Sequence, residues 1–318
     1  MMQSRALALS TKPGARLRYS TLPASPEHGP FSTTVLVFLN GLLLPRSSWI
    51  AAIETLVATR SRQQRPVPHL LTYDRYGQGD SDPDPADDPR SLYGHDASAV
   101  VTDLHRFLVE ACHAALAATL DDMSVVFVAN SIGCPLARLY AAEHPGRVAA
   151  YLFLDSMMAN TDFVSLFPDP DVPASLPAGI TVDDLRKARE GYRRMFHPTV
   201  PNPEHFDRRN LPALLPEAGR PQLPAGPKSE DPYLIIVGHD PDEFAEQGET
   251  GSLHVPKALT NAYINPPWQA YNNELVQLAP DDGRVKRPVI ADKCGHFIQR
   301  DGPEFVAEQL GELLDRLG

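Results

Sequence analysis

The sequence has few cysteines, a deficit of positive charge and no long apolar run, and each shortage excludes a class of protein. Its three cysteines, Cys112, Cys134 and Cys294, are too few and too scattered for a disulfide framework or a zinc site. A formal net charge of −11 disfavours nucleic acid or an anionic membrane as a partner. No stretch could span a bilayer and no signal peptide is recognisable, so we expect a cytoplasmic protein with no membrane span.

The chain does contain a series of short apolar runs separated by amphipathic segments. Runs with the length and β-branched content of buried strands occupy residues 34–39, 69–73, 125–128, 151–154, 233–238 and 287–291. Helical spacing is clearest at residues 47–59, 97–116, 181–195 and 303–317. Residues 5–10 and 15–22 are predicted to pair as an antiparallel edge. The alternation predicts an α/β fold with a mostly parallel, twisted sheet and helices on both faces.

A serine lies at the corner between the strand at residues 125–128 and the helical pattern after it. The turn reads Ala129-Asn130-Ser131-Ile132-Gly133, and a second buried strand follows the helix. In such a βαβ unit a strained turn lifts the hydroxyl clear of the sheet, at the N-terminus of the helix. The chain here resembles the α/β-hydrolase family, whose turn is Gly-x-Ser-x-Gly, with alanine in the first position.

Other segments extend this resemblance. Asp74, Gly77, Gly79 and Ser81 match the family's Asp-x-x-Gly-x-Gly-x-Ser loop. The resemblance implies a core of residues 1–156 and 231–318. Residues 157–230, rich in proline and with one convincing helix, occupy the place of the family's helical lid insertion. The amino-acid sequences of Phe38–Pro45 and Phe153–Asn160 resemble those of hydrolases from filamentous fungi, some of which serve secondary metabolism.

The resemblance implies a catalytic triad in the chain order serine, acid, histidine, each at the C-terminal edge of the sheet. Ser131 is the expected nucleophile. His296, in the Gly-His-Phe segment after the last strand, is the expected base that activates it. Serine at this corner argues against epoxide hydrolase and dehalogenase chemistry, for which the family uses an aspartate nucleophile.

The acid of the triad stays open between two aspartates. Asp155 ends the strand after the serine's helix, a position that some family members use. Asp240 follows the next strand, which is the more common position, but it comes one residue earlier than the usual Gly-x-x-Asp spacing, and Asp242 comes one residue later. We favour Asp155 and keep Asp240 as the rival.

Two backbone N–H groups are expected to form an oxyanion hole. One belongs to Ile132, at the helix N-terminus, and the other to Leu42, which follows Asn40-Gly41 in the place of the family's His-Gly. The resemblance implies neither a metal nor an organic cofactor.

The resemblance therefore implies a serine hydrolase that acts on an ester, lactone or thioester of a mostly apolar small molecule. One alternative is cofactor-free cyclisation or rearrangement of a polyketide-like intermediate on the same fold. Another is a non-catalytic small-molecule receptor. Intact Ser131 and His296 favour an enzyme. The sequence does not identify the substrate, and it is compatible with a homodimer without establishing one.

Overall fold

The computed structural model describes residues 2–172 and 175–318, so Pro173 and Ala174 of the predicted lid lie outside the described residues. The strands, in chain order, are β1 (Gln3–Ala8), β2 (Arg16–Leu22), β3 (Thr34–Leu39), β4 (His69–Tyr73), β5 (Ser124–Asn130), β6 (Val148–Leu154), β7 (Tyr233–His239) and β8 (Val285–Ala291). They form one sheet in the order β1-β2-β4-β3-β5-β6-β7-β8. The pairs β1–β2 and β2–β4 are antiparallel, and all the other neighbours are parallel.

The helices lie between the strands and after them. They are α1 (Ile50–Arg62), α2 (Ala97–Ala111), α3 (Gly133–Glu143), α4 (Val182–Phe196), α5 (Leu211–Leu214), α6 (Pro241–Thr250), α7 (Lys257–Tyr263), α8 (Asn265–Glu274), α9 (Ile298–Asp301) and α10 (Pro303–Leu317). Short 3₁₀ segments occur at Arg46–Trp49, Leu120–Asp122, Pro227–Ser229, Leu275–Leu278 and Asp282–Arg284, and α2 continues as a π turn over Cys112–Leu116. Among the described residues, no helix has the length and apolar character needed to cross a bilayer.

Both faces of the sheet are covered, which explains the continuous apolar runs of the central strands. On one face, side chains of β3 and β5 pack with α1 and α10, as Leu56 and Leu310 illustrate. On the other face, alternate side chains of the same strands pack with α2 and α3, as Phe107 and Tyr140 illustrate. The predicted α/β fold, with a mostly parallel sheet between two layers of helices, is confirmed.

The region between β7 and β8 is more helical than the sequence patterns indicate. Residues 241–274, to which the sequence patterns assign no helix, contain α6, α7 and α8. Prolines obscured two of these helices, because Pro241 begins α6 and Pro266-Pro267 lies in the first turn of α8. Proline is tolerated there, since the first N–H groups of a helix have no partner within it.

The segment from residue 157 to residue 230 has no strand among its described residues, and its main element is α4. Thr181 precedes this helix and its side chain accepts a hydrogen bond from the backbone N–H of Asp184, while the Asp184 carboxylate accepts from the backbone N–H of Thr181. This reciprocal pair is a capping box. The predicted start of the helix is therefore confirmed.

Candidate active site

Ser131 lies at the sharp turn between β5 and α3. Its φ of 55° is in the left-handed region, which is costly for a residue with a side chain and is maintained only where the surroundings enforce it. The backbone N–H of Ser131 donates to the Leu154 carbonyl at 3.2 Å. Gly133 allows α3 to approach β3, because a Cβ there would lie 2.5 Å from the Leu39 carbonyl oxygen. The turn is therefore held from both neighbouring strands.

The side chains of Ser131, His296 and Asp155 form one hydrogen-bonded series. Ser131 Oγ lies 2.9 Å from His296 Nε2. His296 Nδ1 lies 2.5 Å from Asp155 Oδ2. These residues come from the ends of β5 and β6 and from the loop after β8, which meet at the carboxyl edge of the parallel sheet. With Nδ1 donating to the carboxylate, Nε2 is left to accept the serine proton.

The Asp155 carboxylate is fully buried and ionised. Its backbone has a φ of 46°, and its N–H donates to the Val237 carbonyl at 2.7 Å. Burial acts to raise the pKa of Asp155, but the charge of His239 and the hydrogen bonds from His239 and His296 outweigh it and lower the pKa to about 2. The carboxylate therefore accepts hydrogen bonds from histidine at any neutral pH.

Asp240, the rival acid, has a different set of partners. Its Oδ1 accepts from the backbone N–H groups of Asp242 and Glu243 at 2.9 and 3.4 Å, as a cap at the start of α6. Its Oδ2 accepts from the backbone N–H of Lys293 at 3.1 Å. Within the described residues no hydrogen bond joins Asp240 or Asp242 to His296. Of the sequence candidates, the structure brings Asp155 to the histidine and directs Asp240 to a helix terminus.

The turn after β3 passes directly over the serine. A Cβ at Gly41 would lie 2.9 Å from Asn130 Oδ1 and 3.3 Å from Ser131 Cβ, so only glycine fits. The next N–H, that of Leu42, donates to no protein acceptor in the described part of the chain, and neither does that of Ile132. Both expected oxyanion donors therefore have no protein acceptor among the described residues, and Leu42 lines the cavity described below.

A buried carboxylate that the sequence did not reveal holds this turn. Glu204 Oε2 accepts from Arg75 Nη2 at 2.9 Å, and Glu204 Oε1 accepts from the backbone N–H of Leu43. Arg75 in turn donates to the carbonyls of Asn40 and Gly41 at 2.8 and 3.0 Å. A lone glutamate in a proline-rich segment carries no sequence signal for such a role, because its partners come from distant loops.

We expect Glu204→Gln to lower the free energy of unfolding by about 3–5 kcal/mol, because it leaves the buried Arg75 guanidinium without its counter-charge. The side chains of Arg75 and Glu204 are 4% and 0% exposed. Urea unfolding of wild type and variant measures the difference. Asp88→Asn, which breaks an exposed pair with Arg90, is the control and should leave unfolding unchanged. Equal stability of Glu204→Gln and Asp88→Asn would contradict the proposed role of the pair.

A cavity of about 360 Å³ is lined by Ser131 and His296. Its wall is mostly apolar, and its larger apolar side chains include Leu42, Met157, Phe196, Phe244, Trp268 and Phe297. Two arginines, Arg194 and Arg208, also line it, and no carboxylate does among the described residues. A small, largely apolar molecule with a few polar groups fits a cavity of this size and lining.

A separate cluster of possible metal ligands lies away from the serine. Asp84, Asp87 and His95 bring their ligand atoms within 4.8 Å of one another. Lys12 Nζ lies 2.6 Å from Asp84, and His95 Nδ1 lies 2.9 Å from Asp87. The carboxylates thus already have a cationic partner and a histidine partner from the protein, and we interpret the cluster as a salt-bridge network between loops.

Family comparison agrees with this architecture. The model of the alpha/beta hydrolase family matches residues 36–309, and the chain therefore belongs to the α/β-hydrolase family. Epoxide hydrolase VrEH1 from Vigna radiata has a similar fold, with 14% identity and a TM-score of 0.55 over 99% of this chain and 98% of that chain. Alpha/beta hydrolase domain-containing protein 10 from mouse is similar at 13% identity and a TM-score of 0.56, over 99% of this chain and 100% of that one.

A bacterial structure shares the fold as well. Lip1 from Acinetobacter baumannii, assigned as a lipase, has 16% identity and a TM-score of 0.53, over 99% of this chain and 91% of that chain. None of the curated proteins matches this chain in sequence. At identities this low, the structural similarity demonstrates a shared fold and does not establish a shared activity. The chemistry therefore has to be argued from the site.

Proposed function

We propose that this protein is a serine hydrolase that cleaves an ester, lactone or thioester of a mostly apolar small molecule through an acyl-enzyme. The observation that carries the proposal is the hydrogen-bonded series from Ser131 through His296 to Asp155, at 2.9 and 2.5 Å. A serine needs such a base to become a nucleophile at neutral pH, and the base needs a carboxylate to orient it. The mostly apolar cavity beside the serine supports the class of substrate.

In the first half of the reaction, Ser131 Oγ attacks the carbonyl carbon while His296 Nε2 takes the hydroxyl proton. The carbonyl electron pair moves onto its oxygen, and the backbone N–H groups of Leu42 and Ile132 donate to that oxyanion. Each such donor typically contributes about 10²–10³ in rate. Asp155 stays ionised and keeps the other proton of His296 on Nδ1. When the intermediate collapses, the leaving alkoxide or thiolate takes the proton from Nε2.

In the second half, water attacks the ester carbon of acylated Ser131 and His296 removes its proton. The tetrahedral intermediate breaks the bond to Ser131 Oγ, which regains a proton from Nε2, and a carboxylic acid leaves. His296 returns every proton that it accepts and ends the cycle in its starting form, so the reaction as written needs no cofactor. Aspartate is the nucleophile of the epoxide hydrolases in this family, and the serine at the same corner supports acyl transfer instead.

We also propose that residues 157–230 form the lid of this site. Met157, Phe196 and Arg208, from three parts of that segment, line the cavity beside the serine. The Glu204 carboxylate contacts the turn above the serine. A segment placed in this way contributes one wall of the pocket and would select the substrate by shape.

A fluorophosphonate probe tests the proposal, because it reacts with activated serines. We expect the purified full chain to take one covalent label and Ser131→Ala to take none. A panel of aryl esters, thioesters and lactones should then show a burst of leaving group in wild type that is absent in the variant. An unlabelled wild type that binds a ligand without turnover would contradict the proposal and favour a receptor. A labelled protein that isomerises a polyketide-like intermediate and hydrolyses nothing would favour the cyclisation alternative.

A further inference from the structure

A second histidine binds the same carboxylate as His296. His239 is the last residue of β7, and its ring is buried with 5% of the residue exposed. Its Nδ1 lies 2.8 Å from Asp155 Oδ1, the carboxylate oxygen that does not face His296. Its Nε2 lies 3.2 Å from Asn265 Oδ1. The triad described above makes no use of this residue.

The partners of Asn265 determine which atom of its amide faces His239. Asn265 Nδ2 donates to the Pro241 carbonyl at 2.8 Å and to Asn261 Oδ1 at 2.7 Å. A backbone carbonyl can only accept, so the amide nitrogen must be on that side and the amide oxygen must face the histidine. His239 Nε2 must therefore carry a hydrogen to make its contact.

The other ring nitrogen of His239 meets an ionised carboxylate, which also can only accept. Both nitrogens are then donors, and an imidazole with hydrogens on both nitrogens is a cation. Burial acts to lower the pKa of His239, but the charge of Asp155 and the hydrogen bonds to Asp155 and Asn265 raise it above its ordinary value. The hydrogen-bond partners of His239 and the direction of its pKa shift both favour the charged imidazolium.

We propose that His239 is held as an imidazolium and acts as a positioning residue that shares Asp155 with His296. The inference rests on the proposed function. The cation offsets part of the carboxylate charge that would otherwise stabilise protonated His296. The pH at which Ser131 becomes reactive therefore depends on the charge of His239.

Few other ionisable groups surround His239. Asp240 follows it in the chain, and its carboxylate is engaged by backbone N–H groups of α6 and of Lys293. The Phe244 ring stacks at 4.3 Å and Trp268 contacts the histidine edge-on at 5.3 Å, and neither titrates. On the side of β8, a cavity of about 60 Å³ is lined by no other ionisable residue among those described. Asp155, His296 and Asp240 are thus the titratable groups that set its charge.

His239→Gln tests the proposal, because glutamine retains a donor but cannot carry the charge. The rate of fluorophosphonate labelling of Ser131 is measured against pH, so no substrate has to be known. We expect the acid limb of the profile to move upward by about one pH unit, with a smaller change at the alkaline plateau. His28→Gln, at an exposed loop position, is the control and should not move the limb.

A purely structural role would lower the rate at every pH and leave the limb where it is, and that result overturns the proposal. Nitrogen NMR of histidine-labelled wild type gives an independent reading of the ring. The signals that disappear in His239→Gln belong to the ring of His239. We expect them to show two protonated nitrogens at neutral pH, and a ring with one protonated nitrogen would overturn the proposal. A wild type that takes no label refutes the proposed hydrolase, and the NMR result then still decides the charge of His239.

Discussion

In Asp155→Asn we expect kcat/KM against an aryl ester to fall by about 10⁴, the scale seen when a triad carboxylate becomes an amide. The amide keeps the shape of the side chain but loses the charge that the two histidines share. Its NH2 group also replaces one of the two oxygens that accept from the histidines in wild type, and where that group faces His296 Nδ1 it favours the wrong tautomer of His296. The measurement is steady-state hydrolysis of an ester that wild type accepts, on protein that retains its thermal transition.

Asp240→Asn is the matched control for this prediction, because it makes the same chemical change at the rival acid. Asparagine is as good an N-cap as aspartate, so α6 should keep its start and kcat/KM should change by less than about tenfold. A loss confined to Asp240→Asn would identify Asp240 as the acid and would refute the role proposed for Asp155.

In His296→Ala we expect a loss of about 10⁴–10⁶ in kcat, because the only base in hydrogen-bond contact with Ser131 Oγ among the described residues is removed. Labelling of Ser131 by the fluorophosphonate should slow in parallel, since the hydroxyl proton then has no acceptor in contact. Stopped assays with long incubation measure the residual rate.

His28→Ala is the control for that variant, because His28 lies on an exposed loop and its removal tests the loss of an imidazole in general. It should hydrolyse and label like wild type. A His296→Ala protein that kept full labelling would show that Ser131 is activated by another group, and the proposed mechanism would fail.

The strands and the serine corner were predictable because they depend on local patterns. The run Val125–Val128 is apolar at every position because both faces of β5 are covered, and burial on both faces leaves that mark in any sequence. The tight turn needs a small residue such as Gly133 for close packing on β3, and that requirement is also visible locally. Chain order then placed His296 after the last strand, at the same edge as Ser131.

Other features were not predictable from local patterns. Asp155 and Asp240 both follow a strand, and they differ only in which neighbour each carboxylate contacts. His239 precedes Asp240 directly and was visible as a histidine at a strand end, but sequence reasoning weighed only the aspartates. Proline in the first turns of α6 and α8 concealed helices that bring Asn265 against His239.

By itself, the sequence determined the alternation of strands and helices, the order of the chain and the serine at the sharp turn. Each of these follows from burial or backbone geometry over a few residues. Only the tertiary structure decided which aspartate contacts His296, that His239 contacts the same carboxylate, and which glutamate holds the turn above Ser131. Hydrogen bonds depend on differences of a few tenths of an ångström between chain segments far apart in sequence, and no local pattern records such distances.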